Sequence, residues 1–195
     1  MLLNKFDCIK RIDQLSLWEY YIPLSNLDRA GWVIRWIENP ETVAQHSISS
    51  VLMVPQMFRR EIEAIGGDIC TMQDIFLIHD IHEPRTEGKD ITPHDNIEPN
   101  EKYRREIKAI KEILGDKPHL LKLWLDYTEW RTLEWRLARE IDKFQAIYMA
   151  RGYEDRYNIA WLMEEFFSYA VIKIQQITTN FLVRAAVELY ENKPR

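Results

Sequence analysis

Ile75-Phe76-Leu77-Ile78-His79-Asp80-Ile81-His82-Glu83 is the stretch on which the reading of this chain turns. Four apolar residues feed directly into a histidine and a carboxylate. A charged side chain at the end of a run that is apolar on every face needs a compensating partner, and a bound cation is the economical one. The surrounding sequence makes the run helical. The chain holds only six glycines, it lacks Val- and Thr-rich alternation, and its apolar residues recur at three- and four-residue spacing, which together predict an all-α protein. About six main helices are expected.

Working outward from that stretch, Thr71 and Asp74 are read as the cap of its helix, which ends near Pro84 and sets His79 and Glu83 on one face with Asp80 one step round. Upstream, a helix runs from about Asp7 to Tyr21 and stops before Pro23, and Leu24 to Glu38 forms an irregular or short-helical connection. Asn39-Pro40-Glu41 predicts the next helix start through a capping side chain, a preset dihedral and a dipole-complementing acid. His46 then lies about two turns in, and Pro55 kinks or divides the helix by removing a backbone donor. Downstream, residues 84–97 lack periodicity and read as a loop carrying Asp90. Helices follow over Asn100 to Leu114, over about Pro118 to Ala150, and from about Tyr157 to Tyr190. The last is apolar over much of its circumference through Trp161, Phe166, Phe167, Val171, Ile174, Ile177, Phe181 and Val187, so it forms either a core element or the contact of a homodimer.

Composition bounds the alternatives. A length of 195 residues with 46% hydrophobic content suits one domain over 1–195 with a substantial core. No uncharged apolar run reaches the roughly 18 residues of a membrane span. Asp7 interrupts the apolar segment that a signal peptide would need, so a cytoplasmic location is expected. A net charge of -5 disfavours nonspecific nucleic-acid binding. Cys8 and Cys70 are too few for a thiolate metal site or a disulfide framework and read as small buried residues.

The remaining chemistry lies in His46, His79, Asp80 and Asp142. Two neutral imidazoles and two carboxylates make a mixed nitrogen and oxygen site whose negative charges balance one divalent cation. Asp142 qualifies because Trp135, Ala138 and Met149 give its helical face a partly apolar surrounding, a poor home for an unpaired carboxylate. The absence of cysteine ligands favours an open site for manganese, cobalt, nickel, iron, zinc or magnesium over a closed structural zinc. Trp124 to Trp135 reads as core packing, and Arg131, Arg136 and Arg139 as a solvated face.

This ordered set resembles the HD-domain superfamily of metal-dependent phosphohydrolases, whose four metal-holding positions match His46, His79, Asp80 and Asp142. Local context narrows the resemblance to the 5'-deoxynucleotidase branch. Glu41-Thr42-Val43-Ala44-Gln45-His46-Ser47 is similar to the stretch around the first histidine, Asp90-Ile91-Thr92-Pro93 to a Gly-Asp-Ile-Thr-Pro loop, and Ile141-Asp142-Lys143-Phe144 to an Asp-Lys signature. Two departures stand out: Lys89 replaces the glycine before Asp90, and the segment from Glu83 to Asp90 is about two residues longer than usual.

The resemblance implies an HD-type helical bundle that removes the 5'-phosphate from nucleoside monophosphates, deoxynucleotides foremost. It assigns Glu83 to orienting and deprotonating water and Asp90 to a sugar hydroxyl or the leaving oxygen. Arg29, within Arg29-Ala30-Gly31-Trp32, is assigned to clamping phosphate and Trp32 to packing against sugar or base. His82 is read as a hydrogen-bonding or exposed residue, with a second-metal ligand as the alternative. Other outcomes are a phosphohydrolase of nucleoside triphosphates or cyclic nucleotides, and a noncatalytic regulatory protein that keeps metal and nucleotide binding.

Overall fold

The computed structural model describes residues 17–86, 97–128, 132–169 and 177–192, the side chains at 127, 168 and 169 excepted. Among these residues the chain is an all-α bundle without a strand, its one extended pairing being an isolated antiparallel bridge between Asp28 and Thr42. The helices are α1 Trp18–Leu24, α2 Ala30–Val33, α3 Val43–Met57, α4 Arg59–Ala64, α5 Ile69–Ile78 and α6 Glu83–Thr86. They continue with α7 Pro99–Leu114, α8 Pro118–Thr128, α9 Leu133–Tyr157, α10 Leu162–Glu164 running into a π-helical turn Glu165–Tyr169, and α11 Asn180–Glu191. Asp7, Cys8, Asp90 and His94, with Val171 and Ile174, lie outside the described residues.

α3 packs along α5, and α9 packs against both; α10 and α11 rest on α9, while α8 joins α5 to α7. The apolar side chains fall into two clusters. One gathers Met53, Val54, Ile75, Phe76, Ile141 and Phe144, and the other Val43, Ala44, Ile78, Ile81, Ile110 and Trp124. Each buried Val, Ile, Met or Phe among them contributes about 1.5–3 kcal/mol. On α3 the crossover between clusters spans His46, which lies between Ala44 and Met53; on α5 it falls between Phe76 and Ile78, directly ahead of His79. The polar site therefore occupies the seam of the core.

Local chemistry moved several boundaries. Asn39 has a left-handed φ of 50°, so it cannot begin a helix, and the chain ahead of α3 pairs with an earlier segment instead, the Arg29 amide donating to the Glu41 carbonyl and the Val43 amide to the Leu27 carbonyl. Thr42 caps α3 instead, in a box with Gln45, and His46 is one turn in rather than two. Asp68, not Thr71 or Asp74, caps α5 by accepting from the Thr71 amide at 2.6 Å. α5 ends at Ile78, and tight three-residue backbone turns at Ile81 and Glu83 lead into α6, so His79 and Glu83 do not share one helical face. Pro23 sits inside α1, one residue from its end, where the lost donor matters little.

Pro55 divides the α3–α4 run, but the break comes at Phe58. The carbonyl that a residue-55 amide would have satisfied, that of Val51, accepts from the Gln73 side chain of α5 at 3.2 Å. The Pro118 to Ala150 region is two helices, because extended Thr132 caps α9 afresh through the Trp135 amide. The expected final helix is also broken. Left-handed Asn158 stops α9, with the amides of Asn158 and Ile159 both returning to the Glu154 carbonyl. Trp161 and Val187 are correspondingly exposed. Cys70 is half-buried and disulfide-bonded rather than a free apolar filler.

Candidate metal centre and active site

Three helices supply the site. α3 carries His46, the end of α5 carries His79 and leads into Asp80, and α9 carries Asp142. His46 and His79 are essentially enclosed, at 0% and 3% exposure. His79 Nδ1 lies 2.9 Å from the Phe76 carbonyl, which can only accept, so this nitrogen bears the proton and Nε2 the lone pair. His46 Nδ1 lies 2.8 Å from Gln145 Oε1, and its Nε2 is 3.2 Å from His79 Nε2. With the His46 ring in the same tautomer, two lone pairs would face each other. Nitrogens each about 2.1 Å from one ion stand roughly 3.0–3.4 Å apart at square to tetrahedral angles, so the pair fits a shared cation.

The carboxylates complete the set. His46, His79 and Asp80 each offer one atom, all within 4.8 Å of one another. Asp80 Oδ2 is 3.0 Å from His79 Nε2, and Asp142 Oδ1 is 3.1 Å from His46 Nε2. Cations stand beside both acids: Arg29 reaches Asp80 at 3.3 Å and Asp142 at 3.9 Å, and Lys143 reaches Asp142 at 2.6 Å. Burial alone would push the Asp80 carboxyl up, but His79, Arg29 and His46 outweigh it and hold it well below the usual carboxylate range. Burial likewise opposes ionisation of Asp142, and Lys143, His46 and Arg29 reverse it. For His79 burial favours the neutral ring, yet Asp80 and Asp142 raise its pKa. These charges are compensated from within the protein.

Glu83 opens α6 and is 8% exposed. His82 is buried, with Nε2 3.5 Å from Glu106 and its ring edge-on to Trp124. Trp124 itself donates to the His79 carbonyl at 3.2 Å. Trp32 is corrected by its surroundings. It is 3% exposed, packs against Tyr153 and Phe166, and donates its indole N–H to Glu41 at 3.0 Å. A ring so enclosed has no face for a sugar or base. Sequence reasoning also passed over Glu41 and Gln145, which are 6% and 0% exposed. The available signal was Gln145 itself, a polar residue inside Phe144-Gln145-Ala146-Ile147 that had to find a partner.

An all-α bundle presenting two histidines and two aspartates from three helices defines a class. A family model described as HD domain matches residues 23–180, and the chain belongs to the HD-domain family. Its curated relatives include a 5'-deoxynucleotidase HDDC2 from Dictyostelium discoideum, 35% identical over 67% of this chain and 72% of that protein. The mouse protein of the same name is 32% identical over 74% of this chain and 71% of its own length. Among solved structures, a conserved hypothetical protein from Pyrococcus furiosus superposes with a TM-score of 0.70 at 26% identity, covering 90% of this chain and 98% of that one. No helix among the described residues is long and apolar enough to cross a membrane.

Proposed function

We propose that the chain is a metal-dependent 5'-nucleotidase that hydrolyses deoxynucleoside 5'-monophosphates to nucleoside and orthophosphate. The observation that carries the reading is the convergence of His46 and His79 Nε2, with Asp80 and Asp142 beside them, in a chain whose relatives are named 5'-deoxynucleotidases. One divalent ion held by these four residues would neutralise charge on a phosphoryl oxygen and make water more acidic.

The chain's own residues do the rest. Glu83 takes the proton from the attacking water as its oxygen bonds to phosphorus and the P–O5' bond breaks, and that proton is returned to the departing O5' so that it leaves as the nucleoside's hydroxyl. Arg29 grips phosphoryl oxygens through its paired guanidinium nitrogens, a role supported by its reach to both Asp80 and Asp142. Asp90 contacts a sugar hydroxyl or the departing O5'. A cytoplasmic location and a homodimer belong to the same reading. The dimer is supported by exposed Ile48 and Leu52, one turn apart on α3, and sedimentation showing only monomer at micromolar protein would remove it.

The deciding experiment strips metal and adds back single cations against a panel of nucleoside mono-, di- and triphosphates and cyclic nucleotides. Orthophosphate release from 2'-deoxy monophosphates in preference to ribo monophosphates is expected. Cleavage confined to triphosphates or cyclic nucleotides would replace the substrate class, and no release with any cation would replace the enzyme by a binding protein.

A further inference from the structure

Gln145 lies one turn beyond Asp142 on α9, wholly enclosed, and each polar atom of its amide is engaged. Its Nε2 has two acceptors, Glu41 Oε2 at 2.8 Å and Ser49 Oγ at 3.0 Å. Ser49 gives its own proton to the His46 carbonyl at 2.9 Å, so towards Gln145 it accepts. Turning the amide over would set its oxygen against a carboxylate oxygen, so Oε1 faces His46 and accepts from Nδ1 at 2.8 Å.

Glu41 is fixed in turn. Its Oε1 accepts from the Trp32 indole at 3.0 Å and its backbone N–H donates to the Tyr153 hydroxyl oxygen at 2.7 Å. Trp32, Glu41, Gln145 and His46 form one connected set of hydrogen bonds that converges on the Glu41 carboxylate: Trp32 and Gln145 both donate to it, which leaves the Gln145 oxygen to accept from His46. The last acceptor in it decides which nitrogen of His46 carries the proton.

We propose that Gln145, anchored by Glu41 and Trp32, is a positioning residue that locks His46 in the Nδ1–H tautomer and so turns the Nε2 lone pair toward His79 and Asp142. The proposal rests on the metal site of the preceding reading. His79 obtains the same result from the Phe76 carbonyl of its own helix. His46 has no such local acceptor for its ring; it depends on α9 for its tautomer and on Glu41, ahead of α3, for the setting of that acceptor. A partner of this kind is worth about 10- to 100-fold in metal affinity.

The test has two independent readouts on the full chain. In metal-free wild type, long-range nitrogen–proton NMR of the histidine rings is expected to show His46 carrying a proton on Nδ1; a ring protonated at Nε2 alone overturns the proposal. Calorimetric titration with Mn²⁺ is then run on Gln145→Leu and on the exchange Glu41→Gln with Gln145→Glu. The exchange keeps an acceptor for the indole, a donor between positions 41 and 145, and an acceptor for His46. Gln145→Leu should weaken Mn²⁺ about 10- to 100-fold, and the exchange should recover affinity to within about threefold of wild type. Equal affinity of wild type and a folded Gln145→Leu overturns the proposal, as does an exchange variant that folds, keeps the Nδ1–H ring and still binds as weakly as Gln145→Leu. If Gln145→Leu does not fold, the wild-type tautomer and the exchange variant still decide. Wild type that binds no divalent ion while His46 is Nδ1–H would defeat the metal reading alone.

Discussion

Asp80 touches His79, Arg29 and, more loosely, His46, so under the proposed reading truncating it removes a metal ligand and takes one of two carboxylates from Arg29. Asp80→Ala is expected to lose its ion and nearly all hydrolysis; full occupancy by elemental analysis in a folded variant would take Asp80 out of the ligand set. Glu83→Gln keeps the shape and removes the base. Its metal content should match wild type while single-turnover rates fall by about 100-fold or more, and an unchanged rate would end the proton-accepting role. That His46, His79, Asp80 and Asp142 come together was legible in the sequence because few residue types suit a divalent ion and their order along the chain is restrictive. The support behind them was not. Whether Trp32 faces a ligand or a carboxylate, and that Gln145 meets a histidine 99 residues away, depends on how helices dock.

The helical elements were readable as a class and misplaced at their ends, for reasons that lie in single side chains. Periodicity located α3, α5 and α7, but it does not say which of Asn39, Thr42, Asp68 or Thr71 will cap, because any of them can accept an amide. It also ran α8 into α9, where Thr132 begins a new helix, and ran α9 through Asn158, where the backbone turns left-handed. Pro55 offers a direct test. Because Gln73 serves the Val51 carbonyl that the proline leaves without a helical donor, Gln73→Leu should destabilise by about 1 kcal/mol in the native background. In a Pro55→Ala background, where residue 55 regains its N–H, the same change should cost distinctly less. Urea melts of the four proteins measure the coupling, and strictly additive effects would show that the contact carries no weight. Asp68→Ala, by contrast, should cost about 1 kcal/mol in either background as an ordinary cap loss.

At the scale of the whole molecule, the polar seam is where α3, α5 and α9 pack together, beside the boundary between the two apolar clusters. An ion that binds only the folded chain stabilises it by about 2.7 kcal/mol at a hundred times its dissociation constant. Chelation should therefore lower Tm and readdition restore it; identical melts with and without metal would argue against a buried, folding-linked site. That all-α architecture was evident from spacing, but the seam was not, since no local pattern tells which apolar residues will gather on which side of His46. The seam also bears on how long the native state lasts. The ligands come from helices far apart along the chain, so they assemble only when docking is nearly complete, and contacts made that late act on escape from the native basin rather than on entry to it. In stopped-flow chevrons, saturating metal should leave the refolding arm where it was and displace the unfolding arm to slower rates. The cation would act as a clasp closed last and opened first, setting the lifetime of the fold without having guided its formation.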